Sequence, residues 1–389
     1  MNRERAEPAG RQASLGTVAR EWTRIGVTGF GGPPAHIALL RALIVDREGW
    51  MDAREFQDAN AACGLLPGPA STQVSIFCAY RVGGPAGAIV GGIGFIAPAV
   101  ILVLVLSVLF LAQNPPLWVR GAGAGAGAAV AAVAVQAARG LIGPSFEHVR
   151  ESRPRTARWV AYVALGAAAA ALLGAYLVLA LLACGLVEVF ITHRADDMHS
   201  FGLLLPAAVS AGGIGALAWT AFKVGALSFG GGFVIVPLMQ GDAVHTYHWM
   251  TNTEFLNAVA LGQVTPGPVV ATVAAVGYAA HGLVGGLLAA LVAFFPSFSF
   301  ILLGGRRFGQ LRDNQRARAF LDGAGPAAIG AILGAAVVLA GALQEAWQFA
   351  ILAGAAVALL ILGRGIVETL LAAGALGVVA ALTGAPLPL

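Results

Sequence analysis

Two short motifs that interrupt apolar segments each occur twice in this chain. Phe30, Gly31 and Gly32 recur as Phe229, Gly230 and Gly231, and Pro67, Gly68 and Pro69 recur as Pro266, Gly267 and Pro268. Proline lacks an N–H group and glycine permits unusual dihedral angles, so no continuous helix should pass through either motif. A helix that begins after such a break presents free N–H groups and the positive end of its dipole. The chemistry these motifs favour is therefore anion binding.

Polar side chains flank the Pro-Gly-Pro motif in both halves. Ser71, Thr72 and Gln73 follow the first copy, whereas Gln263 and Thr265 precede the second copy and Thr272 follows it. A simpler alternative is that the motif only kinks a helix for packing. A kink that is duplicated in register and flanked by polar groups favours a binding site over this alternative.

Charged residues also repeat at a spacing of 199 positions. Arg24 and Lys223 lie just before the two Phe-Gly-Gly motifs, where a cation in the membrane is costly unless it faces a cavity or a partner. The two cations could cradle one dianion, or both side chains could extend to the membrane interface. Glu55 and Glu254 open the two Pro-Gly-Pro hairpins. They are read as acids that complement a helix dipole, with proton coupling as the alternative.

The resulting candidate site has twenty substrate-binding residues and two candidates for proton coupling. The substrate-binding candidates are Arg24, Phe30, Gly31, Gly32, Pro67, Gly68, Pro69, Ser71, Thr72, Gln73, Lys223, Phe229, Gly230, Gly231, Gln263, Thr265, Pro266, Gly267, Pro268 and Thr272. The proton-coupling candidates are Glu55 and Glu254.

Composition indicates that lipid surrounds the elements that position these residues. Of the 389 residues, 58% are hydrophobic and 11% are charged, whereas soluble proteins carry roughly 25% charged residues. Apolar stretches such as 86–112 and 323–343 are long enough to cross a bilayer. We expect about ten to thirteen crossings, at about 20 residues for each. The polar first 13 residues lack a following apolar core, so a cleaved signal peptide is not expected.

An internal repeat organises the chain. The motif copies, together with Trp50 and Trp249, keep the spacing of 199 positions from Gly26 and Gly225 through Gly87 and Gly286. Chance does not hold one spacing across so many rare residues. The predicted organisation is a polar tail at 1–13, a first repeat at 14–192, a linker at 193–206 and a second repeat at 207–389.

Arginines indicate that the two repeats have opposite orientations, because they concentrate in cytoplasmic loops. Residues 306–318 hold five arginines and their counterpart 107–119 holds none, whereas 139–158 holds five and its counterpart 344–347 holds none. The sequence thus predicts an all-α polytopic membrane protein with two inverted-topology repeats and broken or re-entrant helices. Residues 56–80 should form a re-entrant hairpin, with a shorter one turning at 28–34. Inversion also requires an extra crossing, which is placed at 201–222.

Several function classes lack their sequence motifs. There is no phosphate-binding GxxxxGK[ST] loop, no GxSxG motif and no HExxH motif, so neither an enzyme nor a metal site is predicted. Three cysteines, Cys63, Cys78 and Cys184, show no CxxC spacing and are interpreted as small core residues. No cofactor and no nucleic-acid partner are predicted.

The repeated motifs resemble those of the chromate ion transporter family. The resemblance is carried by residues 30–36 and 66–69 in the first half and by residues 228–232 and 265–268 in the second. It covers nearly the whole chain, in the long two-domain form of the family. It implies a multi-pass carrier in the bacterial inner membrane that exports chromate, with sulfate as the related oxyanion.

The expected mechanism is alternating access at a midplane anion site. The alternatives are an oxyanion channel, a sulfate-type anion transporter and a membrane scaffold without transport. The expected partners are the lipid bilayer and the oxyanion, and a homodimer is left open.

Overall fold

The computed structural model describes residues 13–66, 68–112, 114–147, 149–192, 213–228, 233–304 and 314–388. These residues form α-helices with short 3₁₀ and π-helical segments, and they contain no β-strand. Among the described residues, four helices are long and apolar enough to cross a membrane, namely Ala70–Phe110, Leu117–Glu147, Val269–Gly304 and Gln315–Gly341. Shorter apolar helices accompany them. The described part of the chain is therefore an all-α polytopic membrane protein, as predicted.

The first half begins with two helical hairpins. α1 (Leu15–Thr28) is followed by α2 (Pro33–Arg41), which continues into a π-helical turn at Ala42–Arg47. α3 (Ala53–Leu65) is followed by α4 (Ala70–Phe110), which bends after its first turns. With 14 and 13 residues, α1 and α3 are about 20 Å long, shorter than the roughly 30 Å hydrocarbon core. Arms of this length suit the predicted re-entrant hairpins.

The remaining helices of the first half are α5 (Leu117–Glu147), α6 (Arg153–Leu172) and α7 (Leu177–Thr192). The second half repeats this order of elements. It consists of α8 (Ile214–Ala226), α9 (Ile235–Gln240) with a π-helical turn at Gly241–Thr246, α10 (Asn252–Val264), a 3₁₀ turn at Val269–Thr272, α11 (Val273–Gly304), α12 (Gln315–Gly341), α13 (Ala346–Ala356) with a π-helical turn at Val357–Ile361, and α14 (Ile366–Leu382).

The spacing between equivalent residues changes once along the repeat. The π-helical turns at Ala42–Arg47 and Gly241–Thr246 are 199 positions apart, as predicted. However, α4 and α11 bend at Gly84 (φ 65°) and Gly282 (φ 61°), which are only 198 positions apart. The expectation of one constant spacing as far as Gly87 and Gly286 is therefore wrong by one residue.

The 3₁₀ turn at the start of the second long helix explains this missing residue. Val269–Thr272 is a 3₁₀ turn, whereas α4 is α-helical from Ala70 onward. A 3₁₀ helix rises about 2.0 Å per residue and an α-helix about 1.5 Å, so four 3₁₀ residues cover nearly the length of five α-helical residues. The second half thus reaches the same bend with one residue fewer.

Equivalent helices of the two halves pack against each other in opposite directions. On α4, Gly92 lies against the ring of Phe298, and further along the same helix Leu104 lies against Gly286. The residue numbers rise along α4 while they fall along α11, so the two helices are antiparallel. Equivalent membrane helices that run in opposite directions belong to halves of opposite orientation. The predicted inverted repeat is thereby confirmed.

The halves also interlock through close helix contacts at glycines. α12 packs on α6 and α7 of the first half, and α5 packs on α13 and α14 of the second. Gly330 of α12 faces the carbonyl of Val163, and Gly377 of α14 faces the carbonyl of Gly121. Small residues allow such close backbone approach between membrane helices.

An ion pair between half-buried Arg158 and buried Glu188 joins α6 to α7. Arg158 donates through Nε and Nη2 to the two carboxylate oxygens of Glu188, both at 2.9 Å, and Tyr162 donates its hydroxyl proton at 2.9 Å. Three donors compensate the desolvation of this carboxylate. We therefore interpret the cluster as structural.

The junction between the halves is described only in part. The predicted linker at 193–206 and residues 201–212 of the predicted extra crossing lie outside the described residues. The end of that stretch belongs to α8, which occupies the position of α1 in the repeat. The predicted repeat boundaries at 14–192 and 207–389 remain predictions.

Candidate functional site

Each Pro-Gly-Pro turn contacts the other half of the protein. In the second half, the backbone N–H of Gly267 donates to the carbonyl of Gly29 at 2.9 Å. In the first half, a side-chain carbon added to Gly68 would lie 3.2 Å from the carbonyl oxygen of Gly225. We call the region formed by Gly26, Gly29, Gly68, Gly225 and Gly267 the tip crossing. The structure therefore places each Pro-Gly-Pro turn against the opposite half of the protein.

The backbone at the tip crossing requires glycine. Gly68 has φ of 124° and Gly267 has φ of 98°, in the left-handed region that L side chains rarely adopt. Gly31 and Gly32 of the first hairpin turn share this feature, with φ of 102° and 72°. Space is limited as well, because a carbon added to Gly267 would lie 2.8 Å from the side chain of Ala99.

Several of the predicted substrate-binding residues are exposed or lie outside the described residues. Phe30 is exposed. Pro67, Phe229, Gly230 and Gly231 lie outside the described residues.

A helix N-terminus faces the first tip. Pro69 has an extended backbone conformation and caps α4, and no side chain caps the first turn of this helix. Ser71, Thr72 and Gln73 lie in this turn and are almost completely buried. The free N–H groups and the helix dipole favour an anion at this position, as predicted from the sequence.

The threonine hydroxyls beside the second tip form hydrogen bonds within their own turns. Pro268 caps a 3₁₀ turn, and the hydroxyl of Thr272 donates to the carbonyl of Val269 at 2.7 Å. The hydroxyl of Thr265, beside the buried Pro266, donates to the carbonyl of Gly262 at 3.2 Å. In the described part of the chain, Nε2 of buried Gln263 has no hydrogen-bond partner. The two tips thus differ in chemistry despite their shared origin.

His36 connects the second tip to α4, a role that the sequence did not predict. Its Nε2 lies 2.9 Å from the carbonyl of Gly29, the same oxygen that accepts from Gly267. A carbonyl only accepts, so Nε2 carries the proton and Nδ1 accepts from the Ser71 hydroxyl at 3.4 Å. The fully buried ring packs edge-on against Phe95, with centroids 5.1 Å apart. His36 therefore fixes the position of Gly29 at the tip crossing.

Lys223 is neutralised by a carboxylate. Its Nζ lies 2.6 Å from Oδ2 of Asp242, which also accepts from the hydroxyl of Thr220 at 2.7 Å. The side chains of Lys223 and Asp242 are 11% and 3% exposed, so the pair is withdrawn from water and lipid. Nζ also lies 5.7 Å from the ring centroid of Trp219, within the range of a cation–π interaction.

Arg24 has different surroundings from Lys223. It is exposed on α1, and its carbonyl accepts from the hydroxyl of Thr28 at 2.8 Å. The position equivalent to Asp242 is occupied by buried Leu43. The two predicted cations are therefore not a symmetric pair in the structure, and their role in anion binding stays a prediction.

The two repeated glutamates lie at helix starts. Asp52 caps α3 by accepting from the N–H of Glu55, and Glu55 forms an ion pair with Arg81. Glu254 and Thr251 form a reciprocal capping box at the start of α10. This geometry suits first-turn acids that stabilise helices. Proton coupling at either glutamate stays a prediction.

Several buried hydroxyl groups on α4, on α11 and just after α8 lack a partner in the ranges that the structure covers. They belong to Thr72, Ser75, Ser228 and Ser297. A buried polar group without a hydrogen bond costs about 1–3 kcal/mol, so such groups call for an explanation. An acceptor-rich ligand would supply one.

Sequence reasoning missed His36, Asp242 and Ser297. His36 and Ser228 belong to the repeated motifs, but the sequence assigned no role to either residue. Asp242 could have been found as a lone acid in an apolar hairpin arm, where it lies within the π-helical turn Gly241–Thr246. Ser297 follows Pro296, a proline that interrupts α11 as Pro98 interrupts α4.

Comparison with known proteins gives consistent results. A sequence model described as chromate transporter matches residues 16–189 and again residues 215–379. The chromate transport protein of Cupriavidus metallidurans is 32% identical, over 93% of this chain and 92% of that protein. The chromate transport protein of Pseudomonas aeruginosa is 30% identical, over 83% of this chain and 80% of that protein. A probable chromate transport protein of Synechococcus elongatus is 28% identical, over 84% of both chains.

No solved structure matches the chain. The two family matches fall on the two halves that the structure shows as inverted repeats, and the resemblance seen in the repeated motifs is confirmed. The chain belongs to the chromate transporter family.

Proposed function

We propose that this protein exports chromate, and also sulfate, across the bacterial inner membrane by alternating access at the tip crossing. The observation that carries this proposal is the meeting of both Pro-Gly-Pro tips with the opposite half at Gly225 and Gly29. Irregular backbone at membrane depth is tolerated where it lines a cavity or a site. Inverted repeats that meet at broken helices are typical of alternating-access carriers.

The membrane potential can drive the proposed export without ATP. Moving one charge through 100 mV is worth about 2.3 kcal/mol, so a dianion leaving a negative interior gains about 4.6 kcal/mol. This free energy sustains a gradient of roughly a thousandfold.

The direct test is uptake of radiolabelled chromate into inside-out vesicles that contain the protein. We expect saturable uptake that increases with an interior-positive potential and is competed by sulfate. Vesicles without the protein serve as the control. Absence of chromate uptake by verified, folded protein would contradict the proposal.

An oxyanion channel is the second candidate, because the same tips could form a filter. Counter-transport distinguishes the two. A carrier accelerates efflux of labelled chromate when unlabelled chromate is present on the opposite side, whereas a channel does not.

Arg24 provides a first test of the predicted site. Arg24→Gln removes an exposed positive charge two residues from Gly26 of the tip crossing. If the guanidinium attracts the oxyanion, KM for chromate should rise about tenfold, the loss expected for a hydrogen bond to a charged group. Arg41→Gln, an exposed arginine at the far end of the same hairpin, is the matched control. Parental transport by the Arg24 variant would remove this residue from the site.

A further inference from the structure

Ser297 on α11 carries a hydroxyl group with no assigned role. It is completely buried, and within the described ranges it has no hydrogen-bond partner. Its Oγ would lie 3.5 Å from a side-chain carbon added to Gly68, so the hydroxyl is directed at the first tip. A serine in a helix can usually donate to a carbonyl of the preceding turn. A hydroxyl that instead faces a glycine turn is available to a ligand.

Other polar groups lie near the same point, by contact, by position in the chain or by repeat equivalence. The amide Nε2 of Gln73 would lie 2.6 Å from the carbon added to Gly68. Thr72 lies one helical turn after Gly68, in the uncapped first turn of α4. Ser228 is the repeat equivalent of Gly29, the residue that contacts the second tip. In the residues that the structure describes, the hydroxyls of Thr72 and Ser228 have no partner either.

The second tip does not offer this set of donors. Ala99 takes the place of Ser297 there, at the spacing of 198 positions that relates α4 to α11. The N–H of Gly267 is already used by Gly29, and the hydroxyl of Thr272 is used by Val269. The second tip therefore lacks a counterpart to the Ser297 hydroxyl, and the unpartnered donor beside it in the described residues is Nε2 of Gln263.

We propose that the oxyanion binds asymmetrically, at the first tip, with the Ser297 hydroxyl as one of its direct hydrogen-bond donors. This inference rests on the proposed function. It adds a binding residue and identifies the tip at which the oxyanion binds. A tetrahedral dianion offers only acceptor oxygens, which match hydroxyl donors and the free N–H groups of a helix start. Lys223 is compensated by Asp242, so neutral donors carry the recognition at this tip.

The test is equilibrium binding of radiolabelled chromate to the purified full-length protein, with sulfate as competitor. Ser297→Ala removes the donor while keeping the fold of α11. We expect its dissociation constant to rise by at least tenfold, because hydrogen bonds to charged groups are among the stronger ones. Ala99→Ser places a hydroxyl at the equivalent position of the second tip and is the matched control, with an expected change below twofold. Monodisperse elution of both variants verifies folding.

Each outcome has one meaning. Unchanged binding by Ser297→Ala, or an equal loss in Ala99→Ser, would overturn the asymmetric site while leaving the proposed transport intact. Failure of the parental protein to bind or transport chromate would overturn the proposed function itself. Weakened binding in Ser297→Ala alone, with the parental protein active, supports the inference.

Discussion

Asp242→Ala should destabilise the protein by about 3–5 kcal/mol, because it leaves the ammonium group of Lys223 buried without its counter-charge. The same substitution also removes the acceptor of the Thr220 hydroxyl. The double variant Lys223→Met/Asp242→Leu removes both charges and should recover most of this loss, since apolar replacements of a buried pair are often tolerated. Unfolding of the detergent-solubilised protein by heat or denaturant measures the difference.

An exposed ion pair is the control for this prediction. Arg364 and Glu368 lie 3.7 Å apart, with side chains more than 60% exposed. Glu368→Ala should therefore change the stability by less than about 1 kcal/mol. Equal stability of the single Asp242 variant and the double variant would show that the buried charge is compensated in some other way.

Gly225→Ala should disrupt the tip crossing and abolish chromate transport. A side-chain carbon at this position would collide with the backbone carbonyl of Ala293 on α11, which cannot move without displacing the helix. Overpacking typically costs about 1–3 kcal/mol and occasionally more, and a clash with backbone belongs at the upper end of this range. Since the carbonyl of Gly225 lies beside Gly68, any shift of α8 also displaces the first tip. Transport and thermal stability should both fall.

Gly354→Ala is the matched control for this substitution. Gly354 lies in α13, and a carbon added there would meet no atom within 4 Å. Alanine favours a helix over glycine by about 1 kcal/mol, so this variant should be as stable as the parent or slightly more stable. Normal transport by Gly225→Ala would mean that α8 and α11 separate easily and that the tips are not held by this contact.

The architecture was largely predictable from the sequence because its signals are local or repeated. Pro-Gly-Pro breaks a helix wherever it occurs, and arginine-rich loops report orientation without any knowledge of packing. The antiparallel packing of α4 and α11 agrees with both signals. The change in spacing from 199 to 198 could have been read from Pro98 and Pro296, which are 198 positions apart. Its cause was not predictable, because the residues of the 3₁₀ turn would also fit an α-helix.

The chemistry of the site was less predictable, because it depends on differences between the halves. Reasoning from the repeat treats Arg24 and Lys223 as equals, yet only Lys223 faces an acid across its hairpin. Asp242 has Leu43 as its counterpart, so a comparison of repeated residues does not reveal it. The comparison does not reveal Ser297 either, because its counterpart is Ala99. The contact between Ser297 and Gly68 joins residues that are distant in the chain. The ion pair between Lys223 and Asp242 joins the two arms of one hairpin.

The reciprocal contacts of the two tips mean that a single repeat cannot complete the surroundings of its own Pro-Gly-Pro turn. Gly267 needs the carbonyl of Gly29, and Gly68 lies against the carbonyl of Gly225, so each turn is completed by the opposite repeat. A polypeptide with a single repeat could complete these contacts only by pairing with another copy inserted upside down in the same membrane. Joining two oppositely oriented copies in one chain makes that pairing obligatory, and it also allows the copies to differ, with Ser297 and Asp242 in one and Ala99 and Leu43 in the other.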